Sequence, residues 1–566
     1  MKTPIHLVIL SIALAVNCAA WEPPYGIADP ADTWTGFGEI DQPTPPKPLS
    51  WSAANPSAQE GYYFIDNSDP AATDADNPFG FPGRPRMTPP EGTLAAGTMI
   101  YIHGGLYTPA KSAGDRYDWR GMGTPSKPIW ITGNPTKKPL FQDLVHIGLG
   151  EAGATDYLVI ENLEFSGSSG GSIRVQPSVN GVDIRHVLLR NLKIRHLGVA
   201  ADQGGILVGV SSSNDGAPDS LIEDVVAYNN DISYCGDRIT TDTTGFYNGY
   251  HTNRVWCVDN VIHHVGADSI AGSHYSDGVT RKTTNYFIGR NTLYGNGENG
   301  IDIKGAENVV ISQNTIYGPF EREQGSAIVL HYGASPPTTV KHCAVLFNRI
   351  YHVSAGISTG SSYGCDNLTV VGNLFYDIRS SYAALSDPVN GACIQLGGSH
   401  GVFRIANNTF HDFEKGIYIA KITKDDSVDI RSNVFSAGNT AGRYEISLGS
   451  SDASGISSDY NFFTPNPRFF WGGKALTMAG MKLMSKEAKS REGDPIFIDA
   501  SVGDLASSVF SKCIDNGSVS AGYDEFQTRF GLNIKVDFSG NKRPFGDAWD
   551  IGAFEFAGKF NLRQVK

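Results

Sequence analysis

Two short stretches of this 566-residue chain carry ionisable side chains at spacings suited to acid–base chemistry. One is Gly300-Ile-Asp-Ile-Lys304 and the other is Ala327-Ile-Val-Leu-His331. In an extended strand successive side chains face opposite sides. Ile301 and Ile303 therefore point one way, and Asp302 and Lys304 the other. The same parity sends Ile328 and Leu330 inward and leaves Val329 and His331 outside. If the two strands are neighbours, about 4.8 Å apart, Lys304 stands beside His331, with Asp302 two residues away. Residues 260–275 align over 291–306 without a gap. That alignment brings Asp268 and Glu298 to nearly matched positions ahead of their strands, offset by one residue. His274 and Asp277 follow in a polar loop.

Such a cluster suits two kinds of bond breaking. Elimination from a uronate needs a base for the proton beside the carboxylate and a cation for the charge that develops. Lys304 or His331 is the candidate base, because a Lys beside another cation has a lowered pKa. Asp268, Glu298 and Asp302 offer the hard oxygen ligands that Ca²⁺ takes. Hydrolysis needs instead two carboxylic acids facing one glycosidic bond, which Asp302 with Glu298 or Asp268 would supply. The alternative without chemistry is a solvated, charge-balanced sheet face. Arg174, Gln176, Gln395 and Tyr418 occupy equivalent outward positions on other strands and are candidate sugar contacts. Glu321 and Glu323 sit in the loop before Ala327. His263 and His264 flank a corner, where one is expected to pack inward.

The elements that would hold this cluster repeat along the chain. An alternating apolar strand ends in Asn, any residue, and an apolar residue, as in Tyr157-LVIENLEF, Tyr286-FIGRNTL and Leu368-TVVGNLF. The asparagines are Asn162, Asn191, Asn230, Asn260, Asn291, Asn314, Asn348, Asn373, Asn408 and Asn433, in steps of 23 to 39 residues. A near-constant period argues for a solenoid, and period-2 alternation argues for strands. Asn tolerates left-handed turns and bonds backbone, so one per coil predicts a ladder at a corner. A second strand follows most corners, as in Gly205-ILVGV and Gly416-IYIA. The fold class expected is all-β: a right-handed parallel β-helix with an N-terminal cap and a C-terminal closing segment.

Residues 1–20 read as a signal peptide, with an apolar run from Leu7 to Val16 and Cys18-Ala-Ala20 ahead of the cleavage point. That run is too short to cross a membrane. The expectation is a secreted protein, extracellular or periplasmic, with no membrane partner and a monomeric state. Residues 21–95 are rich in Pro and Gly and read as an extended lead-in and cap. The helix proper is expected over 96–460, and 461–566 should close its far end. The net charge of −13 argues against a nucleic-acid partner. Six cysteines lie beyond the leader, and their spacing leaves disulfides and buried thiols equally open.

The repeat resembles that of secreted bacterial β-helix proteins, which include polysaccharide lyases, epimerases and glycoside hydrolases. Tyr62-YFIDNSDPAATDADNPFGFPGRPR and Asp537-FSGNKRPFGDAWDIGAFEF resemble the opening and closing segments of such proteins. Gly266-ADSI and Glu298-NGID are similar to the motifs with which family nine pectate lyases hold Ca²⁺. The resemblance implies Asp268, Glu298 and Asp302 as calcium ligands. This chain has Glu298-Asn299 where that family has two adjacent acids, and His331 on the strand where the family has its catalytic Lys. The implied activity is endo-acting cleavage of an acidic polysaccharide by β-elimination. Hydrolysis of an acidic, sulfated or fucose-containing polymer is the second expectation, and a non-catalytic carbohydrate-binding helix the third.

Overall fold

The computed structural model describes residues 20–558 apart from 35–36, 53–55, 109–115, 143, 149–152, 168–170, 199–203, 211–218, 239, 273–282, 319, 321–324, 332–338, 361–363, 383–390, 399, 437–442 and 450–452. The chain winds through three parallel sheets of 14, 15 and 13 strands. From Ile129–Gly133 onward each coil visits all three in a fixed order. Leu158–Glu161, for example, belongs to the first sheet, Glu164–Ser166 to the third and Ile173–Val175 to the second. Each strand pairs with its counterpart one coil away. The result is a right-handed parallel β-helix, the hand that parallel crossovers take.

The sequence motif captures two of the three strands per coil. Many of the third sheet's strands, such as Thr292–Tyr294 and Thr315–Tyr317, are only three residues long and begin right after the asparagine. Alternation over three residues is too short to register as a strand. Inside the helix, Ile, Val, Leu and Phe stack into one continuous core. The far end is closed by the short helix Met478–Leu483, whose Met478 and Met481 enter that core.

The asparagine ladder runs from Asn230 to Asn461. The Asn260 side-chain oxygen accepts from the Asn230 amide N–H and side-chain nitrogen, both at 2.9 Å, and each later pair repeats the bond. The left-handed residue is the one before each ladder asparagine, such as Asp259, Arg290 and Gln313. Asn162 and Asn191 are themselves left-handed, at φ 59 and 55. Arg190 pairs with Tyr228, so Asn191 aligns with Asn229 and not with the ladder member Asn230.

Parallel stacking starts earlier than residue 96, because Tyr62–Asp66 already pairs with Met99–His103. The segment before it lies along the outside of the first sheet and does not sit over an open end. Ile27, Trp34, Phe37 and Trp51 pack there against Trp130, Val159, Leu188 and Trp256. The C-terminal helix Gly522–Phe530 and Ile534 join the same layer. Beyond residue 461, strands Phe462–Phe463, Phe469–Trp471 and Arg491–Glu492 extend the sheets before the chain turns back. Leu505, Cys513, Ile551 and Ala553 then cover Leu374, Val434 and Phe462 near the third sheet. All six cysteines from Cys235 to Cys513 are buried thiols without a disulfide. Among the described residues no helix is long and apolar enough to cross a membrane. Residues 1–19, within the expected signal peptide, lie outside the described residues.

Candidate functional site

The second sheet sets the cluster. Ile301–Lys304 lies between Ile270–Gly272 and Ser326–His331. Lys304 pairs with His331 and Asp302 with Val329, the register expected from parity. Ile301, Ile303, Ile328 and Leu330 are fully buried in the core, which pins that register, since a slip of one residue would turn Asp302 inward.

Asp302 bridges Lys304 and His331. Its Oδ2 lies 2.9 Å from Lys304 Nζ, and its Oδ1 lies 2.8 Å from His331 Nε2. The solvated, charge-balanced face, which was the alternative without chemistry, is not what forms, because Asp302 is only 4% exposed and Asp268 only 6%. Burial alone would raise the Asp302 pKa. The His331 hydrogen bond and the Lys304 charge outweigh it and hold the carboxyl below its usual value. Burial likewise opposes the Lys304 ammonium, but Asp302, Asp268 and Glu298 together raise its pKa. Lys304 is thus held as a cation, and the lowered value that a lysine base requires is not what this environment produces.

Asp268 moves the other way. Burial first, then the charges of Asp302 and Glu298, push its carboxyl well above the usual range. Its Oδ1 accepts from the Asn299 amide at 3.2 Å and from Asn299 Nδ2 at 3.0 Å. Asn299 Oδ1 in turn accepts from the Ser326 amide at 3.1 Å. Asn299, which departs from the acidic pair of the resembled motif, therefore ties three successive coils together. Asn296 adds a bond to Ser269 beneath it.

These donors do not fit a calcium site. Both Asp302 oxygens are engaged by Lys304 and His331, and one Asp268 oxygen accepts two Asn299 hydrogens. Among the described residues no group of three or more His, Cys, Asp or Glu side chains is placed to hold a metal.

The other sequence candidates share the face without meeting at Asp302. The outward column runs Arg174, Leu207, Tyr247, Ala271, Asp302, Val329, Ser358, Gln395 and Tyr418. Arg174 and Tyr418 each stand four strands from Asp302, or about 19 Å at normal strand spacing, on opposite sides. The Gln395 side-chain oxygen is buried without a partner among the described residues. Lys415 Nζ lies 6.0 Å over the Tyr418 ring, on one of its faces. Tyr247 and His146 belong to the same column and were not singled out by sequence, because no ionisable neighbour marks Tyr247 and His146 lies outside the repeat. His263 and His264 differ from expectation: neither packs inward. Their Nδ1 atoms meet at 2.7 Å, and the rings stack on Tyr294 and Tyr234. Their corner is lined by aromatic rings, so the outward side is itself a packing surface. His274, Asp277, Glu321 and Glu323 lie outside the described residues.

No protein-family profile matches the sequence, and no curated protein matches it. Among solved structures the chain is similar to the pectate lyase Pel9A, at 13% identity and a TM-score of 0.38, over 87% of this chain and 96% of that one. It is similar to the family 6 alginate lyase AlyGC at 14% identity and a TM-score of 0.41, over 74% of this chain and 53% of that one. It is also similar to XylC in complex with xylose, at 10% identity and a TM-score of 0.42, over 87% of this chain and 98% of that one.

Proposed function

We propose that the protein cleaves an acidic polysaccharide by β-elimination, with His331 as the base. The observation that supports this most is the Asp302 bridge. Asp302, ionised, accepts from His331 Nε2, which makes Nδ1 the lone-pair nitrogen of the neutral ring. Asp302 is then a positioning residue, and Nδ1 takes the proton beside the sugar carboxylate. Lys304, kept as an ammonium, supplies positive charge near the carboxylate on which the electron pair accumulates. The pair then expels the glycosidic oxygen, which takes a proton from water while His331 returns its own to solvent, leaving an unsaturated sugar and a new reducing end.

A second reading has one specific observation behind it. Asp268 and Asp302 are pushed in opposite directions, the separation that an acid and base of a hydrolase show. Against it, both Asp302 oxygens are already engaged.

The test is incubation with polygalacturonate, alginate and a sulfated fucan, reading ultraviolet absorbance and reducing ends together. Elimination raises both signals, and His331→Ala should lower the rate roughly 10²–10⁴-fold. Reducing ends without absorbance would establish hydrolysis instead. Neither signal on any polymer would end the enzymatic reading.

A further inference from the structure

A second polar cluster lies on the same face, nearer the N-terminal end. Strands Arg116–Arg120, Leu144–Ile147 and Ile173–Val175 are consecutive in the second sheet. Their register puts Asp118, His146 and Arg174 in one outward column. Arg116 is two residues before Asp118 and faces the same way. The column continues through Leu207, Tyr247 and Ala271 to Asp302. His146 is therefore five strand spacings, about 24 Å, from the Asp302 site.

What marks this cluster is a set of unmade hydrogen bonds. Arg116 Nε, Asp118 Oδ1 and His146 Nδ1 are shielded from solvent and have no hydrogen-bond partner among the described residues. His146 is 5% exposed, and its Nε2 donates to the Gln176 carbonyl at 2.9 Å. That bond makes Nδ1 an acceptor. Burial, with help from Arg116 and Arg174, brings the His146 pKa down to about 4, so the ring is neutral near pH 7. Buried polar atoms almost always have partners, and three orphans on two adjacent strands are a concentration that a bound polar molecule would explain. Burial, then the Arg116 charge, lowers the Arg174 pKa. An anion between these two guanidinium groups would relieve their repulsion.

We propose that Arg116, Asp118, His146 and Arg174 form a second glycan subsite that takes an acidic sugar residue. Its anionic group lies between Arg116 and Arg174, and its hydroxyls donate to Asp118 and to His146 Nδ1. The subsite rests on the reading of the Asp302 site as one that cuts an acidic polymer, and adds a separate place where that polymer is held. Guanidinium groups bind either a carboxylate or a sulfate in a forked geometry.

The full chain carrying His331→Ala, which should bind without cleaving, is titrated calorimetrically with polygalacturonate, a sulfated fucan and neutral dextran. Binding to at least one anionic polymer and not to dextran is expected, and which one binds separates carboxylate from sulfate. Adding Arg116→Gln or His146→Ala should weaken that binding about tenfold. Melting temperature checks folding, and the variant at partly exposed Arg116 decides the question if His146→Ala fails to fold. Equal binding to dextran, no binding to either anionic polymer, or unchanged affinity in a folded Arg116→Gln protein would each overturn the subsite. If the single His331→Ala protein still cleaves, the reading of the Asp302 site fails, while the affinities still judge the subsite.

Discussion

At the residue scale the arrangement turns on one carboxylate. Asp302 joins Lys304 to His331 across two coils, so its removal both frees the imidazole and leaves Lys304 less compensated. Asp302→Asn should therefore reduce cleavage roughly 10²–10⁴-fold, measured as initial rate on the best polymer. The two aspartates also make opposite stability predictions. Asp302 has a folded pKa below its usual value. Its contribution is present above the ordinary Asp range and is lost as pH falls. Asp302→Asn should thus cost more stability at pH 7 than at pH 3. Asp268 has a raised folded pKa. Its contribution is full below the ordinary Asp range and is lost as pH rises through the raised value. Asp268→Asn keeps an oxygen for Asn299, and its melting temperature should gain on the wild type as pH rises from 4 to 8. A gain that shrinks over that range would contradict the assignment. The residue parity that places Asp302, Lys304 and His331 together was legible in the sequence. Their burial was not, because parity says which side a residue faces and nothing of what covers that side.

At the element scale the asparagine ladder is what stacks one coil on the next. Asn314 accepts two hydrogen bonds from Asn291 and donates to Asn348 and to the Ile288 and Ser312 carbonyls. Asn314→Ala strands several buried groups at once and should destabilise by about 3 kcal/mol or more. Asn162 stands off the ladder, with one side-chain bond to Thr132 at 3.4 Å. Asn162→Ala should cost about 1 kcal/mol, mostly from its left-handed backbone. Chemical denaturation of both variants checks the contrast, and equal losses would mean that the ladder adds little. The recurrence of Asn was visible in the sequence. The one-residue offset at Asn162 and Asn191 was not, because Asn suits both the left-handed position and the ladder position.

At the scale of the whole molecule, two faces of the helix are given over to packing. The N-terminal segment and the C-terminal helix cover the first sheet, and residues around 505–553 cover part of the third. The second sheet keeps its ionisable column, and this is the face on which both proposed sites lie. Trp34 is buried against Phe37 and His186 in the layer over the first sheet. Trp34→Ala should destabilise by about 3–5 kcal/mol while the cleavage rate per folded molecule stays as in the wild type. A loss of rate without a loss of stability would place that layer in the function and contradict this division of the faces.

The sequence by itself determined the solenoid, its strand parity and the register that lines up Asp302, Lys304 and His331. Those follow from local periodicity, which the chain states coil by coil. Only the tertiary structure decided that Asp302 and Asp268 are buried, that Lys304 is held as a cation, and that both chain ends wrap the first sheet. These depend on contacts between residues up to several hundred positions apart, such as the Trp256 indole with the Ala28 carbonyl, and no local pattern records such a contact. The Arg116–His146 cluster belongs to the same class, since its orphaned atoms become visible only when three coils are stacked.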